Sequence, residues 1–71
     1  MHVYVHLFLT VVDCGSLGDP SNGQVTLTGT TVGSTATYEC NSGFTLVGNQ
    51  GRTCQEDGSW SGADPTCDGM L

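Results

Sequence analysis

Four cysteines carry most of the chemistry this sequence offers. Cys14, Cys40, Cys54 and Cys67 are able to form disulfides or to ligate a metal, and their spacing bears on which. Zinc sites draw on close pairs such as Cys-x-x-Cys, where one tight loop supplies two ligands at once. Here 25, 13 and 12 residues lie between successive cysteines, so no pair has that spacing. His2 and His6 stand four apart, as a metal pair on a helix would. The alternation of Val3, Val5 and Leu7 with His2, Tyr4, His6 and Phe8 is instead that of a strand. Disulfides are therefore the expectation, with no metal and no cofactor, and they imply an oxidising, extracellular setting. Four cysteines admit three connectivities, and spacing does not choose among them.

The remaining reactive side chains form no recognisable machinery. There is no Gly-x-Ser-x-Gly elbow, no His-Glu-x-x-His and no phosphate-binding glycine loop. The seven carboxylates (Asp13, Asp19, Glu39, Glu56, Asp57, Asp64, Asp68) lack calcium-loop spacing and read as a solubilising surface. Asn22, Asn41 and Asn49 begin no glycosylation sequon. An enzyme is not expected.

Charge narrows the partners. The net charge is −6 and Arg52 is the only full cation. Nucleic acid and heparin-like polyanions need clustered Lys and Arg, so neither is expected as a partner, and anionic membrane surfaces are disfavoured too.

With 71 residues the chain has room for one domain and a thin core. Small scaffolds of this size need covalent staples, which the cysteines supply. After the first eight residues Tyr38, Phe44 and Trp60 are the only aromatics, and they are the expected core anchors. Abundant Gly, Thr and Val suit short strands joined by tight turns. Gln24–Thr28 alternates, with Val25 and Leu27 facing inward. Thr35–Cys40 alternates too, with Ala36, Tyr38 and Cys40 on one face. Phe44–Leu46 and Arg52–Gln55 are further short strands, and Asn22-Gly23 is a type I′ turn signal. The fold class is small, disulfide-rich and all-β, with about five short strands.

Residues 1–12, MHVYVHLFLTVV, are set apart as an apolar leader, followed by a module over 13–68 and a tail over 69–71. The leader is shorter than the roughly 20 apolar residues of a membrane span, so no transmembrane segment is expected. As a signal peptide it lacks a positive start and a small-x-small cleavage site. A degenerate signal peptide, a fragment of upstream sequence or linker and a wrongly assigned start are the readings it leaves, with a vestigial or non-native leader favoured over an extra β-strand.

In order, Cys14, Pro20-Ser21-Asn22-Gly23, Gly33-Ser34 through Tyr38 and Cys40, Gly43-Phe44, Arg52-Thr53-Cys54, Gly58-Ser59-Trp60-Ser61 and Pro65-Thr66-Cys67 resemble the sushi domain, or complement control protein module. The match runs from about Asp13 to Asp68. One departure is Gly15-Ser16, where family members often carry a proline after the first cysteine. The resemblance implies first-to-third and second-to-fourth pairing, Cys14–Cys54 and Cys40–Cys67. It also implies an elongated antiparallel β-bead with Trp60 in its core. In function it implies a non-catalytic binding or spacer module of a multi-module extracellular protein of complement-regulator, adhesion or matrix type. Its partners would be an extracellular protein ligand or neighbouring modules.

The expected binding surface is the loop of Gly29, Thr30, Thr31, Val32, Gly33 and Ser34, taken as mobile and free of core duties. Glu56-Asp57 beside Arg52 is a weaker candidate. The alternative function is a free-standing secreted peptide, an inhibitor or effector held by its disulfides.

Overall fold

A strand whose alternate residues are small or aromatic can lie at the middle of a thin core, and Thr35–Cys40 is that strand. The computed structural model describes residues 2–6 and 9–69, with side chains from Val11 onward. The described residues form seven strands: β1 (His2–His6), β2 (Leu9–Asp13), β3 (Gly23–Leu27), β4 (Thr35–Cys40), β5 (Phe44–Val47), β6 (Gly51–Thr53) and β7 (Thr66–Gly69). They form antiparallel sheets in the orders β1-β2, β3-β4-β6 and β5-β7. Among the described residues there is no helix, and hence none long and apolar enough to cross a membrane. The molecule measures 55 × 15 × 14 Å, an elongated β-bead.

β4 is central because its alternation is sharpest. Ala36 and Tyr38 are buried while Thr35, Thr37 and Glu39 are exposed. Its register against β3 sets Val25 opposite Tyr38 and Leu27 opposite Ala36, so one face of the pair is apolar throughout. Ala36, Tyr38, Cys54 and Trp60 form the buried cluster, and Cys14, Leu17, Val25, Leu27 and Leu46 pack against it.

Several expectations are modified by the structure. Phe44, expected beside Tyr38 and Trp60, is half-buried and lies outside that cluster. It opens β5, where the register pairs it with Gly69, and its ring covers that glycine's backbone instead of the main core. Asn22-Gly23 is not a type I′ hairpin. The turn runs from Pro20 to Gly23, closed by the Gly23 amide donating to the Pro20 carbonyl at 3.2 Å, and only Asn22 has a positive φ, 64°. Gly23 is instead the first residue of β3. Trp60 contributes an isolated bridge to Cys54, whereas Thr66–Gly69, which runs from the expected module into the expected tail and is not an expected strand, is β7.

Within the expected leader, β1 and β2 pair antiparallel from His2 opposite Asp13 to His6 opposite Leu9. β2 runs through Asp13, which bridges to Thr31 in the 29–34 segment. Met1, Leu7 and Phe8 of the leader and Met70 and Leu71 of the tail lie outside the described residues, and the side chains of His2 and His6 lie outside the described side chains.

Candidate functional site

At the end where Leu27 meets Ala36, a disulfide joins Cys14 to Cys54. Cys54 is buried, and the backbone around it is closed by hydrogen bonds. The Gly33 amide donates to the Cys54 carbonyl at 3.0 Å, the Cys54 amide to the Ser34 carbonyl at 2.9 Å, and the Cys14 amide to the Thr30 carbonyl at 2.7 Å. Trp60 packs in the same cluster and its indole N–H donates to the Gly15 carbonyl at 3.0 Å. A buried indole with its donor satisfied contributes both apolar area and a directional tie.

These bonds revise the expectation for the 29–34 segment. It is not free of core duties: Thr30 and Ser34 accept from the two bonded cysteines, Gly33 donates to one of them, and Thr31 bridges to Asp13. A turn closed by Ser34 N–H to the Thr31 carbonyl at 2.9 Å, with Gly33 at φ 90°, lifts Thr31, Val32 and Gly33 outward. All three are exposed, and Val32 retains 43% of its surface. Beside this tip lies an open groove of about 350 Å³ lined by Val11, Val12, Thr31, Val32 and Glu56, and Val11 is also exposed. The result is a small apolar patch on a braced backbone.

At the end where Gly23 meets Cys40, a disulfide joins Cys40 to Cys67. It links the central strand to β7 and thereby ties the two-stranded sheet to the three-stranded one. Gly23 lies directly against it. A Cβ at that position would stand 2.6 Å from the Cys67 Sγ and 2.6 Å from the Glu39 carbonyl oxygen, so only glycine fits. A second cleft, of about 340 Å³, opens between the 18–21 segment and residues 64–68, with Tyr38 in its wall.

Arg52 sits at the edge of that cleft and is nine-tenths buried. Its Nε donates to the Ser61 carbonyl at 2.8 Å, and its Nη1 to Asp64 Oδ1 at 2.5 Å and to the Tyr38 hydroxyl at 3.3 Å. The Tyr38 hydroxyl in turn donates to Asp64 Oδ1 at 3.4 Å. The lone cation is thus committed to Asp64 and not to Glu56-Asp57, its neighbours in sequence. The sequence assigns Arg52 no ion pair, and nothing in it names Asp64 as the partner. Asp57 instead accepts from the Ser59 hydroxyl at 2.6 Å and the Ser59 amide at 3.0 Å, and these bonds hold its carboxyl below the usual aspartate range.

No group of three or more His, Cys, Asp or Glu side chains converges on a metal position among the described residues. Every buried side-chain nitrogen or oxygen described has a hydrogen-bond partner. The arrangement offers braced surface and two shallow clefts.

Comparison with known proteins accords with this geometry. A family model described as Sushi repeat (SCR repeat) matches residues 14–67. The chain is 48% identical over 56 residues, 79% of its length, to the rat protein "Sushi, von Willebrand factor type A, EGF and pentraxin domain-containing protein 1", covering 2% of that protein. It is 44% identical over 57 residues, 80% of its length, to human "Sushi domain-containing protein 2", covering 7% of it. Against bovine "Inactive serine protease PAMR1" the identity is 39% over 64 residues, 78% of this chain and 9% of the relative. The chain therefore spans less than a tenth of the length of each of these relatives. It belongs to the sushi repeat family, whose members are generally non-catalytic protein-interaction modules of multi-domain extracellular proteins.

Proposed function

We propose that this chain works as a non-catalytic binding or spacer module in a multi-module extracellular or cell-surface protein, taking a protein ligand or its neighbouring modules as partners. The observation that carries the reading is the braced tip at Thr31, Val32 and Gly33. The 29–34 backbone that carries it is tied to both cysteines of one disulfide, while Thr31 and Val32 are exposed beside the Val11 groove. A binding surface held this way loses little conformational freedom on contact, which favours affinity for a given area. The same ties suit a spacer, because they transmit orientation from the 29–34 segment to the core. The surface left free of positive charge, with Arg52 engaged, favours neutral or basic protein partners over polyanions.

The test is chemical crosslinking in extracellular fluid with the intact chain and with Val32→Asp, whose exposed position leaves the fold unchanged. The expected outcome is a protein crosslinked to the 29–34 segment whose capture falls about tenfold in the variant, the scale of one lost hot-spot contact. Crosslinks that map elsewhere and are indifferent to Val32→Asp would remove the tip from the binding role.

A further inference from the structure

The pair Asn22-Gly23 does not make the hairpin its sequence advertises, and nothing in the binding role uses it. Its chemistry is nonetheless specific. We propose that Asn22 is a site of spontaneous deamidation whose rate is set by the opening of the Pro20–Gly23 turn, and that its isoaspartyl product unseats the start of β3.

In this reaction the Gly23 amide nitrogen loses its proton to solvent base and attacks the side-chain carbonyl carbon of Asn22. A nitrogen–carbon bond forms, the bond from that carbon to Nδ2 breaks, and ammonia leaves with a proton from water. The five-membered cyclic imide that results is opened by water at either carbonyl. One opening leaves an aspartate at position 22. The other leaves an isoaspartate, with the main chain running through the side-chain methylene. No oxidant, reductant or cofactor is needed.

Two observations select this position, and a third sets its rate. Of the three asparagines, Asn22 alone precedes a glycine; Ser42 and Gln50 follow Asn41 and Asn49 and bring a Cβ that crowds the attack. Asn22 is exposed, so water and base reach it. The folded turn nevertheless holds the nucleophile elsewhere, since the Gly23 amide donates to the Pro20 carbonyl at 3.2 Å and Gly23 is wedged against Cys67 Sγ and the Glu39 carbonyl. Attack therefore waits on local opening of the turn, a motion costing less than global unfolding.

The same wedge makes the product consequential. An isoaspartate adds one methylene to the main chain between position 22 and Gly23. Gly23 has no slack toward the disulfide, and the Asn22 carbonyl is already the acceptor for the Asn41 amide at 2.8 Å. The Gly23–Cys40 pairing at the start of β3 must therefore give way, next to the 340 Å³ cleft that Pro20 and Ser21 line.

The experiment incubates the intact oxidised chain, and the same chain reduced and alkylated, at mildly alkaline pH and follows each asparagine by peptide mapping. Electron-transfer fragmentation separates aspartate from isoaspartate. In both samples position 22 should convert first, and in the oxidised chain on the order of tenfold more slowly than in the reduced one. Asn22→Gln should abolish the early product, because ring closure through the longer side chain is slower. Equal rates in the two samples would overturn the gating. Conversion that begins at Asn41 or Asn49, or an oxidised chain that stays unconverted at position 22, would overturn the site.

Discussion

The two disulfides hold ends of the molecule that are built differently. Around Cys14–Cys54 the staple is embedded in the main cluster, with Trp60 at 8% exposure, Cys54 at 1% and a set of backbone hydrogen bonds closing over it. Around Cys40–Cys67 the staple joins a two-stranded sheet whose large side chains are only partly covered; Phe44 is half-buried and Val47 is 49% exposed. A two-stranded sheet has little independent stability. One end is a core with a disulfide in it, and the other is a small sheet tied to that core by its disulfide and by Leu46.

Removing each staple in turn breaks the comparison most directly. The bridges span 40 and 27 residues, and loop entropy alone assigns them nearly equal worth, about 4 and about 3.5 kcal/mol. Any larger difference must come from packing. Replacing Cys14 and Cys54 by alanine should unfold the whole chain, because the cavity falls within the main cluster. Replacing Cys40 and Cys67 should release β5 and β7 first. Native-state hydrogen exchange is the measurement, with early loss of protection confined to β5 and β7 in the second variant only. Protection lost evenly along the chain in both variants would show one cooperative unit without distinct ends.

The aromatics sharpen the same contrast at smaller cost. Trp60→Phe loses the indole bond to the Gly15 carbonyl and part of a buried ring, and should cost about 2–3 kcal/mol. Phe44→Leu removes area from a ring that is only partly covered and should cost about 1 kcal/mol or less. Denaturant midpoints at unchanged slope give both numbers. A Phe44 variant as damaging as the Trp60 variant would place more of the core in the second sheet than its burial indicates.

This difference also explains what was legible in the sequence. β3 and β4 were readable because one face of each is covered, partly in β3 and fully at Ala36 and Tyr38 in β4, and the other exposed, so period-two alternation is written plainly in Gln24–Leu27 and Thr35–Cys40. β7 was not. Its residues Asp68 and Gly69 have weak strand preference, and the segment is a strand because the disulfide and β5 place it beside a partner. Phe44 was over-read for the same reason: hydrophobicity states that a ring seeks cover, but not which of two cores provides it. The 29–34 segment reads in sequence as a mobile loop free of core duties, and its attachment to Cys14 and Cys54 was missed because it runs through backbone groups that side-chain identity does not encode. The partner of Arg52 was hidden likewise, since Asp64 reaches it across the fold.

Two glycines beside the second cleft test how tightly that end is fitted. Gly23→Ala drives a methyl into Cys67 Sγ and the Glu39 carbonyl, neither of which is a flexible tip, and should cost about 2 kcal/mol. Gly18→Ala meets nothing within 4 Å at a position with ordinary φ, and should change stability by no more than about 0.5 kcal/mol in either direction. Equal midpoints for the two variants would mean that the disulfide end yields where it is drawn as rigid.

The smallest effect lies in the turn that leads to Trp60. Two hydrogen bonds from Ser59 hold the Asp57 carboxyl below its ordinary value of 3.8, the side-chain bond acting more strongly than the backbone one. A carboxyl whose folded pKa is depressed favours the folded state at pH above the unfolded pKa. That contribution fades as pH falls from the ordinary aspartate value through the lowered one, where the folded state too takes up its proton. Ser59→Ala removes the stronger bond and keeps the backbone amide, so the Asp57 carboxyl should titrate closer to 3.8 while remaining below it. Carboxyl chemical shifts followed through acid pH measure this directly. Because Asp57 is fully exposed, solvent screens the charge and the stability change at neutral pH should be too small to move the denaturant midpoint. A clear midpoint shift with an unmoved Asp57 titration would locate the Ser59 contribution in its hydroxyl's bond to Gln55 instead, and so in the bracing of the loop beside the first disulfide.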